Sequence, residues 1–285
     1  MEMTEASYRI IADLLEARTG QRLSDGRRWR MGTALAGTLR KHGLANADQL
    51  VALLVKRDTA TLADAVVDAL LNNETYFFRD QSMFDLLQSE VLPELAERRA
   101  SVKRLSIWSA GCSSGQEALS LAMMLRENAA SWAGWTIEIV GTDVSQAVIA
   151  KAQNARYSQF EIQRGLGVNR MLEHFTEDAG HWRPVPELRR MVRFCTDNLL
   201  DMSARTQPFD LILCRNVLLY FDTQRRNTAF RRMSRTMRCD GYLMLGSGED
   251  ILGGSDLLEP AAQDARLFTH RRLHTPYTQN DRRYA

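Results

Sequence analysis

Apolar positions recur at helical spacing from the start of the chain to about Asn72. Tyr8, Ile11, Leu14 and Leu15 share one face before Gly20 breaks the pattern. A second helix is predicted from about Asp25 to His42, with Gly43 as its C-cap. Leu50, Leu53 and Leu54, then Leu62, Ala65, Val66, Ala69 and Leu70, carry the same period onward. No β-type run interrupts them, so this stretch reads as a small all-helical unit.

The pattern changes after Pro93. Glu94–Arg104 is highly charged and reads as a helix end and linker. Leu105-Ser-Ile-Trp-Ser then enters a glycine-rich turn followed by a helix from Ala118 to Asn128. Trp135–Asp143 reads as a second strand, Ala147–Ala155 as a helix, and Phe209–Asn216 as a nearly all-apolar third strand. Asn227–Met237 is helical and Gly241–Gly246 is a fourth strand. Strands alternating with helices predict a parallel sheet covered on both faces, an α/β fold. From Gly165 to Cys195 the rhythm fails, and the mixture of apolar residues with Gly and Pro reads as an insertion of short strands. Arg271 onward is a polar tail. There is no internal repeat.

Composition adds mainly exclusions. Hydrophobic residues make up 45% and charged residues 25%, with a net charge of +2, so nothing global points to nucleic acid or to membrane insertion. No apolar run reaches membrane-spanning length, the polar start is unlike a signal peptide, and the scattered cysteines fit a reduced cytoplasm. The four cysteines are scattered without a CxxC pair, and His270 and His274 lack carboxylate or thiol company, so no metal site is expected.

Candidate chemistry lies where the predicted strands end. Gly111-Cys-Ser-Ser-Gly115 would let a ligand approach the backbone and a helix N-terminus. Its glycine spacing does not fit G-x-G-x-x-G, and no Gly-Lys-Ser/Thr follows to make a phosphate loop. Asp143, ending the second strand, suits both hydroxyls of a ribose that lacks a 2′-phosphate, and the third strand ends in Arg215-Asn216. The turn alone says no more than a tight turn. The three strand ends together predict a nucleoside cofactor, with NAD(P) still open on these residues.

Asn72-Asn-Glu-Thr-Tyr-Phe-Phe-Arg-Asp80 resembles the signature at the domain junction of the CheR chemotaxis receptor methyltransferases. Ala110–Glu117, Gly141–Asp143, Asn198–Leu200 and Cys214–Asp222 resemble that family's later motifs in the same order, across about residues 5–272. The resemblance implies an N-terminal helical domain (1–78), a linker and connecting helix (79–104), and a Rossmann-like methyltransferase domain (105–272). Within the last it implies a small antiparallel β-subdomain at about 165–195, with a tail at 273–285. It implies S-adenosylmethionine as methyl donor, S-adenosylhomocysteine as product, and receptor glutamate carboxylates as acceptors. Cofactor contacts would fall on Asn73, Thr75, Arg79, Gly111, Glu117, Asp143, Asn198, Leu199, Arg215 and Asn216. Gln116 replaces the first acid of the family's Gly-Glu-Glu-Pro-Tyr, while Glu117 keeps the second.

A glutamate carboxylate is ionised at neutral pH and is its own nucleophile, so no general base is required. The enzyme must desolvate the carboxylate and aim it. A guanidinium and a phenol suit that task, and Arg79 and Tyr220 are the candidates, as the resemblance also implies. A non-catalytic module that senses the cofactor or its product is the alternative; retention of both residues favours an enzyme.

Arg27, Arg30 and Lys41 share one face of the second helix with Ala34, flanked by Arg28 and Arg40. Such a face is ordinarily just solvated, but the resemblance implies docking on the acidic helical bundle of a receptor. Ala34, Gly37 and Thr38 stand where basic residues are common in the family. The expected protein is a monomer, with room for a protein regulator at the N-terminal domain. Tethering to a receptor's C-terminal pentapeptide is not expected. The hairpin at His174–Val185 is short and has one glycine, Glu177 and Asp178 repel an acidic peptide end, and Pro184 and Pro186 remove backbone donors.

Overall fold

The computed structural model describes residues 3–23, 26, 28–56, 59–201, 208–251, 256–262 and 264–271. Arg27, the helix start predicted at Asp25 and the tail at 273–285 lie outside them.

Helix α1 (Glu5–Thr19) starts where the Thr4 hydroxyl accepts from Ser7 N at 3.2 Å, and it stops at Gly20, whose N–H donates to Glu16 O at 2.8 Å. It packs with α2 (Arg28–Lys41), α3 (Ala47–Leu54) and α4 (Ala60–Leu70) around Ile11, Met31, Leu35, Leu50 and Val66, all fully buried. Helices this short are marginal alone. Burial of each such side chain, worth about 1.5–3 kcal/mol, holds them together.

The segment read as a linker and connecting helix is helical from Gln81 to Arg98. α5 (Gln81–Leu86), a π-helical turn (Leu87–Val91) and α6 (Leu92–Arg98) run on continuously. The widened turn directly precedes Pro93, whose ring excludes the carbonyl four residues back. Met83, Phe84, Leu87, Val91, Leu92 and Leu95 are buried in the core against the sheet, so this stretch belongs to the α/β layer structure.

The remaining elements are β1 (Arg104–Ala110), α7 (Gln116–Glu127), β2 (Thr136–Asp143), α8 (Gln146–Asn154), β3 (Tyr157–Ser158), α9 (Gln159–Gln163) and α10 (Val168–His174). They continue with β4 (Phe175–Asp178), β5 (His181–Pro184), α11 (Pro186–Met191), β6 (Val192–Thr196), β7 (Phe209–Cys214), α12 (Thr223–Thr236), β8 (Met237–Leu245), β9 (Leu258–Pro260) and β10 (Leu267–His270). The main sheet runs β6-β2-β1-β7-β8-β10-β9; the first five strands are parallel and β10 is antiparallel to both neighbours. Side chains alternate as the pleat requires. Leu105, Ile107, Leu211 and Leu213 face the α5–α7 side, while Trp108, Ala110, Ile212 and Cys214 face α12. Strand order reverses between β1 and β7, and that switch point is where ligands bind in open α/β sheets.

Two readings need correction. The small antiparallel sheet, order β3-β5-β4, begins at Tyr157, before the predicted 165, and Val192–Thr196 pairs with β2 as an edge of the main sheet. Pro184 ends β5, the central strand of the small sheet, and Pro186 opens α11, so neither removes a donor from the outer edge of β4. Among the described residues no helix is long and apolar enough to cross a membrane, and no cluster of potential metal ligands occurs.

Candidate active site

A cleft lies at the switch point, roofed by the junction segment after α4 and by the end of α1. Its walls bring together every cofactor-contact candidate and both aiming candidates: Asn73, Thr75, Arg79, Gly111, Glu117, Asp143, Asn198, Leu199, Arg215, Asn216 and Tyr220.

The strand ends build the floor. Gly111 adopts φ +75°, and a Cβ there would fall 2.3 Å from Val217 Cγ2, so glycine is required on both counts. Asp143 is buried at the end of β2. Its Oδ2 accepts from Ser113 N at 2.9 Å and its Oδ1 from Ser145 N at 3.0 Å. The Val144 N–H also acts on this carboxylate, which retains acceptor capacity for a ligand hydroxyl. Burial raises this carboxyl above the usual range, against the opposing backbone donors. Cys112 also lines the cleft, and burial pushes its thiol up, reinforced by Asp143 and Glu117, so it stays protonated.

Arg215, after β7, is a strut. Its Nη1 donates to Glu117 Oε2 at 3.0 Å, and its Nη2 to Arg79 O at 2.6 Å and Asp80 Oδ2 at 2.7 Å. Glu117 also accepts from Ser109 Oγ at 2.7 Å. Arg215 therefore lines the cleft with its terminal nitrogens engaged by protein, and sequence reasoning missed this bracing role.

The junction segment is fixed by contacts that its motif alone does not reveal. Phe78 and Asp80 adopt φ +50° and +61°. Ser120 Oγ accepts from Phe78 N at 3.0 Å, and Ser113 Oγ donates to Asn73 O at 2.7 Å. Arg79 Nη1 donates to Glu74 O at 3.0 Å. Arg164, from the loop before α10, hydrogen-bonds the Glu74 carboxylate and lies 4.6 Å from the centre of the Tyr76 ring. Arg164, then Arg79 and Arg30, hold the Glu74 carboxyl below its ordinary value. Across the cleft, Asn72 Nδ2 donates to the Tyr220 hydroxyl at 2.8 Å. Asn198 donates to Arg18 O at 3.1 Å and accepts from Leu200 N at 3.0 Å, so its amide fastens the loop that presents Leu199 to α1.

Residues 73–266 match the family described as CheR methyltransferase, SAM binding domain. The chain belongs to the CheR methyltransferase family. It is 34% identical over 246 residues to chemotaxis protein methyltransferase Cher2 of Pseudomonas putida, covering 85% of this chain and 89% of that protein. It is also 34% identical over 255 residues to chemotaxis protein methyltransferase 1 of Pseudomonas aeruginosa, covering 88% and 92%. The chemotaxis protein methyltransferase of Vibrio parahaemolyticus matches at 33% over 261 residues, covering 90% and 94%. As a CheR protein the chain is a methyltransferase dependent on S-adenosylmethionine, and the cleft fits that cofactor: a buried carboxylate with spare lone pairs, a glycine cradle and an acid at the start of α7. NAD(P), left open by the strand ends alone, gives way to it.

Asp143→Ala should weaken S-adenosylhomocysteine binding by about 1.5–3 kcal/mol, the range for hydrogen bonds to a charged group. Because burial raises this carboxyl, wild-type affinity should decline on acidification at a higher pH than an ordinary aspartate would give, and Asp143→Asn should flatten the decline. Calorimetry across pH measures both; unchanged affinity in Asp143→Ala removes the residue from the site.

Proposed function

We propose that the protein transfers a methyl group from S-adenosylmethionine to glutamate side-chain carboxylates of chemotaxis receptors, giving glutamyl methyl esters and S-adenosylhomocysteine for sensory adaptation. The observation that carries this reading is the pairing of Arg79 and Tyr220 on the walls of one cleft whose floor is the switch-point cradle. When bound, the cofactor supplies an electrophilic methyl on a positively charged sulfur. Asp143 would hold its ribose, and Glu117 and Asn216 line the adjoining wall. Arg79 and Tyr220 strip water from the incoming carboxylate and fix one oxygen in line with the methyl. The acceptor oxygen would form its C–O bond as the methyl's bond to sulfur breaks, and no residue would have to move a proton. Positioning of this kind supplies on the order of 7–11 kcal/mol.

Base-released volatile methanol from a receptor cytoplasmic fragment incubated with enzyme and labelled cofactor tests this. Methyl esters hydrolyse in base and N-methyl groups do not. Cofactor binding without methanol would favour the sensing module instead.

Docking is assigned to α2. Arg30, Arg40 and Lys41 are exposed, whereas Arg28 pairs with Glu5 at 2.7 Å and covers the Tyr8 ring. Arg30, Ala34 and exposed Trp29 line a groove that reaches Asn72 at the cleft mouth. Receptor affinity should fall steeply between low and high salt, since exposed charges are screened beyond roughly 8 Å at physiological ionic strength. An affinity indifferent to salt and to charge reversal of Arg30 and Lys41 would move the dock elsewhere. The protein works as a cytoplasmic monomer in this reading, without a pentapeptide tether. The β4–β5 hairpin turns on Ala179 and Gly180, and Glu177 and Asp178 lie on the β4 edge that an added strand would use.

A further inference from the structure

Glu249 sits just past β8, and its carboxylate curls back under the loop that leaves β7. Oε2 accepts from the N–H of Asn216 at 2.7 Å and of Gly246 at 2.9 Å. Oε1 accepts from Val217 at 2.9 Å, Leu218 at 2.7 Å and Leu219 at 3.3 Å. Five backbone donors thus converge on a side chain that is 9% exposed.

The loop needs such a hold. Asn216 adopts φ +59°, a region that non-glycine residues occupy only when their surroundings enforce it. Val217, Leu218 and Leu219 open the 3-10 turn at Leu218–Tyr220, where the first amides lack an intrahelical acceptor. There is no slack. A Cβ at Gly246 would lie 2.7 Å from Glu249 Oε2 and 3.0 Å from Asn216 N. The same loop presents Asn216 and Tyr220 to the cleft, which Glu249 itself does not line.

We propose that Glu249 is a positioning residue for methyl transfer: its carboxylate locks the Asn216–Tyr220 loop so that Tyr220 meets the acceptor and Asn216 meets the cofactor. This rests on the function proposed for the cleft. Glutamine at this position has one acceptor oxygen in place of two and turns an N–H₂ group toward donors, so the loop loses its register while the fold of the sheet persists.

At saturating cofactor, Glu249→Gln should lower kcat about 10- to 100-fold, the scale of a misplaced aiming group. Amides of residues 216–219 should exchange hydrogen at least about tenfold faster than in the wild type, since one of the two acceptor oxygens that hold them is replaced by a donor. Combined with Tyr220→Phe, the loss should hardly exceed that of the worse single variant, because Glu249 acts through Tyr220; independent effects would multiply. A folded Glu249→Gln enzyme with wild-type kcat, or losses that multiply, overturns the proposal. Should Glu249→Gln fail to fold, Gly246→Ala keeps the charge but crowds the carboxylate, and it is judged by the same measurements. Calorimetry of S-adenosylhomocysteine on the wild type separates the two failures. Absence of binding there sinks the function of the cleft, and the exchange rates of residues 216–219 still decide whether Glu249 holds the loop.

Discussion

Arg79→Ala should leave an enzyme that folds normally and turns over at least about 100-fold more slowly, the cost expected when a reacting group is no longer held in attack geometry. The guanidinium stands half-buried in the cleft wall. Its Nη1 is held by Glu74 O, and it makes no other hydrogen bond among the described residues. It is therefore poised for a ligand, and its removal deletes no core contact. Arg79→Lys should recover only a small part of the rate, since an ammonium is a point charge and cannot present the planar fork that fixes a carboxylate. Tyr220→Phe should lower kcat while S-adenosylhomocysteine affinity stays near wild type, because its hydroxyl is assigned to the acceptor. Base-released methanol gives the rates and calorimetry the affinities. Turnover that survives both Arg79→Ala and Tyr220→Phe would end the aiming model.

How far these residues could be found without coordinates differs by region. The helices of the first 70 residues were legible because their apolar period is regular and their ends carry Gly20 and Gly43. The parallel strands were legible because their runs are nearly all apolar, as burial on both faces demands. The insertion was misjudged at both ends. Tyr157–Ser158 is too short to show a period, and Val192–Thr196, with one face partly open at the sheet edge, does not look like a buried strand. β9 and β10 have three and four residues and escaped for the same reason. At the cleft, Asp143 and Gly111 could be argued from strand ends alone, while Arg79 and Tyr220 needed the motif resemblance. Ser113, Arg164 and Glu249 act by reaching across 30 or more residues to backbone or ring partners, and nothing local in the sequence marks such contacts.

The second large effect belongs to Arg215, whose guanidinium is 2% exposed and ties three parts of the fold together. Arg215→Ala would leave Glu117, 14% exposed, without its cation and would strip the Arg79 carbonyl of its donor. Removing one partner of a buried pair costs about 3–5 kcal/mol. The Asp80 carboxylate, 29% exposed, adds less because water can reach it. For a domain of this size each kcal/mol lowers Tm by about 2–4 °C, so a drop of about 6–20 °C is expected by calorimetric melting. Lysine should not rescue, because one ammonium cannot reach acceptors on α7, on the junction backbone and on Asp80 together. Pairing Arg215→Met with Glu117→Gln should restore part of the stability, since the stranded charge is gone, yet methyl transfer should remain poor because the junction that carries Arg79 has lost its brace. A stable Arg215→Ala protein with intact turnover would show that the strut is dispensable and that Arg79 is held by Glu74 and Ser120 alone.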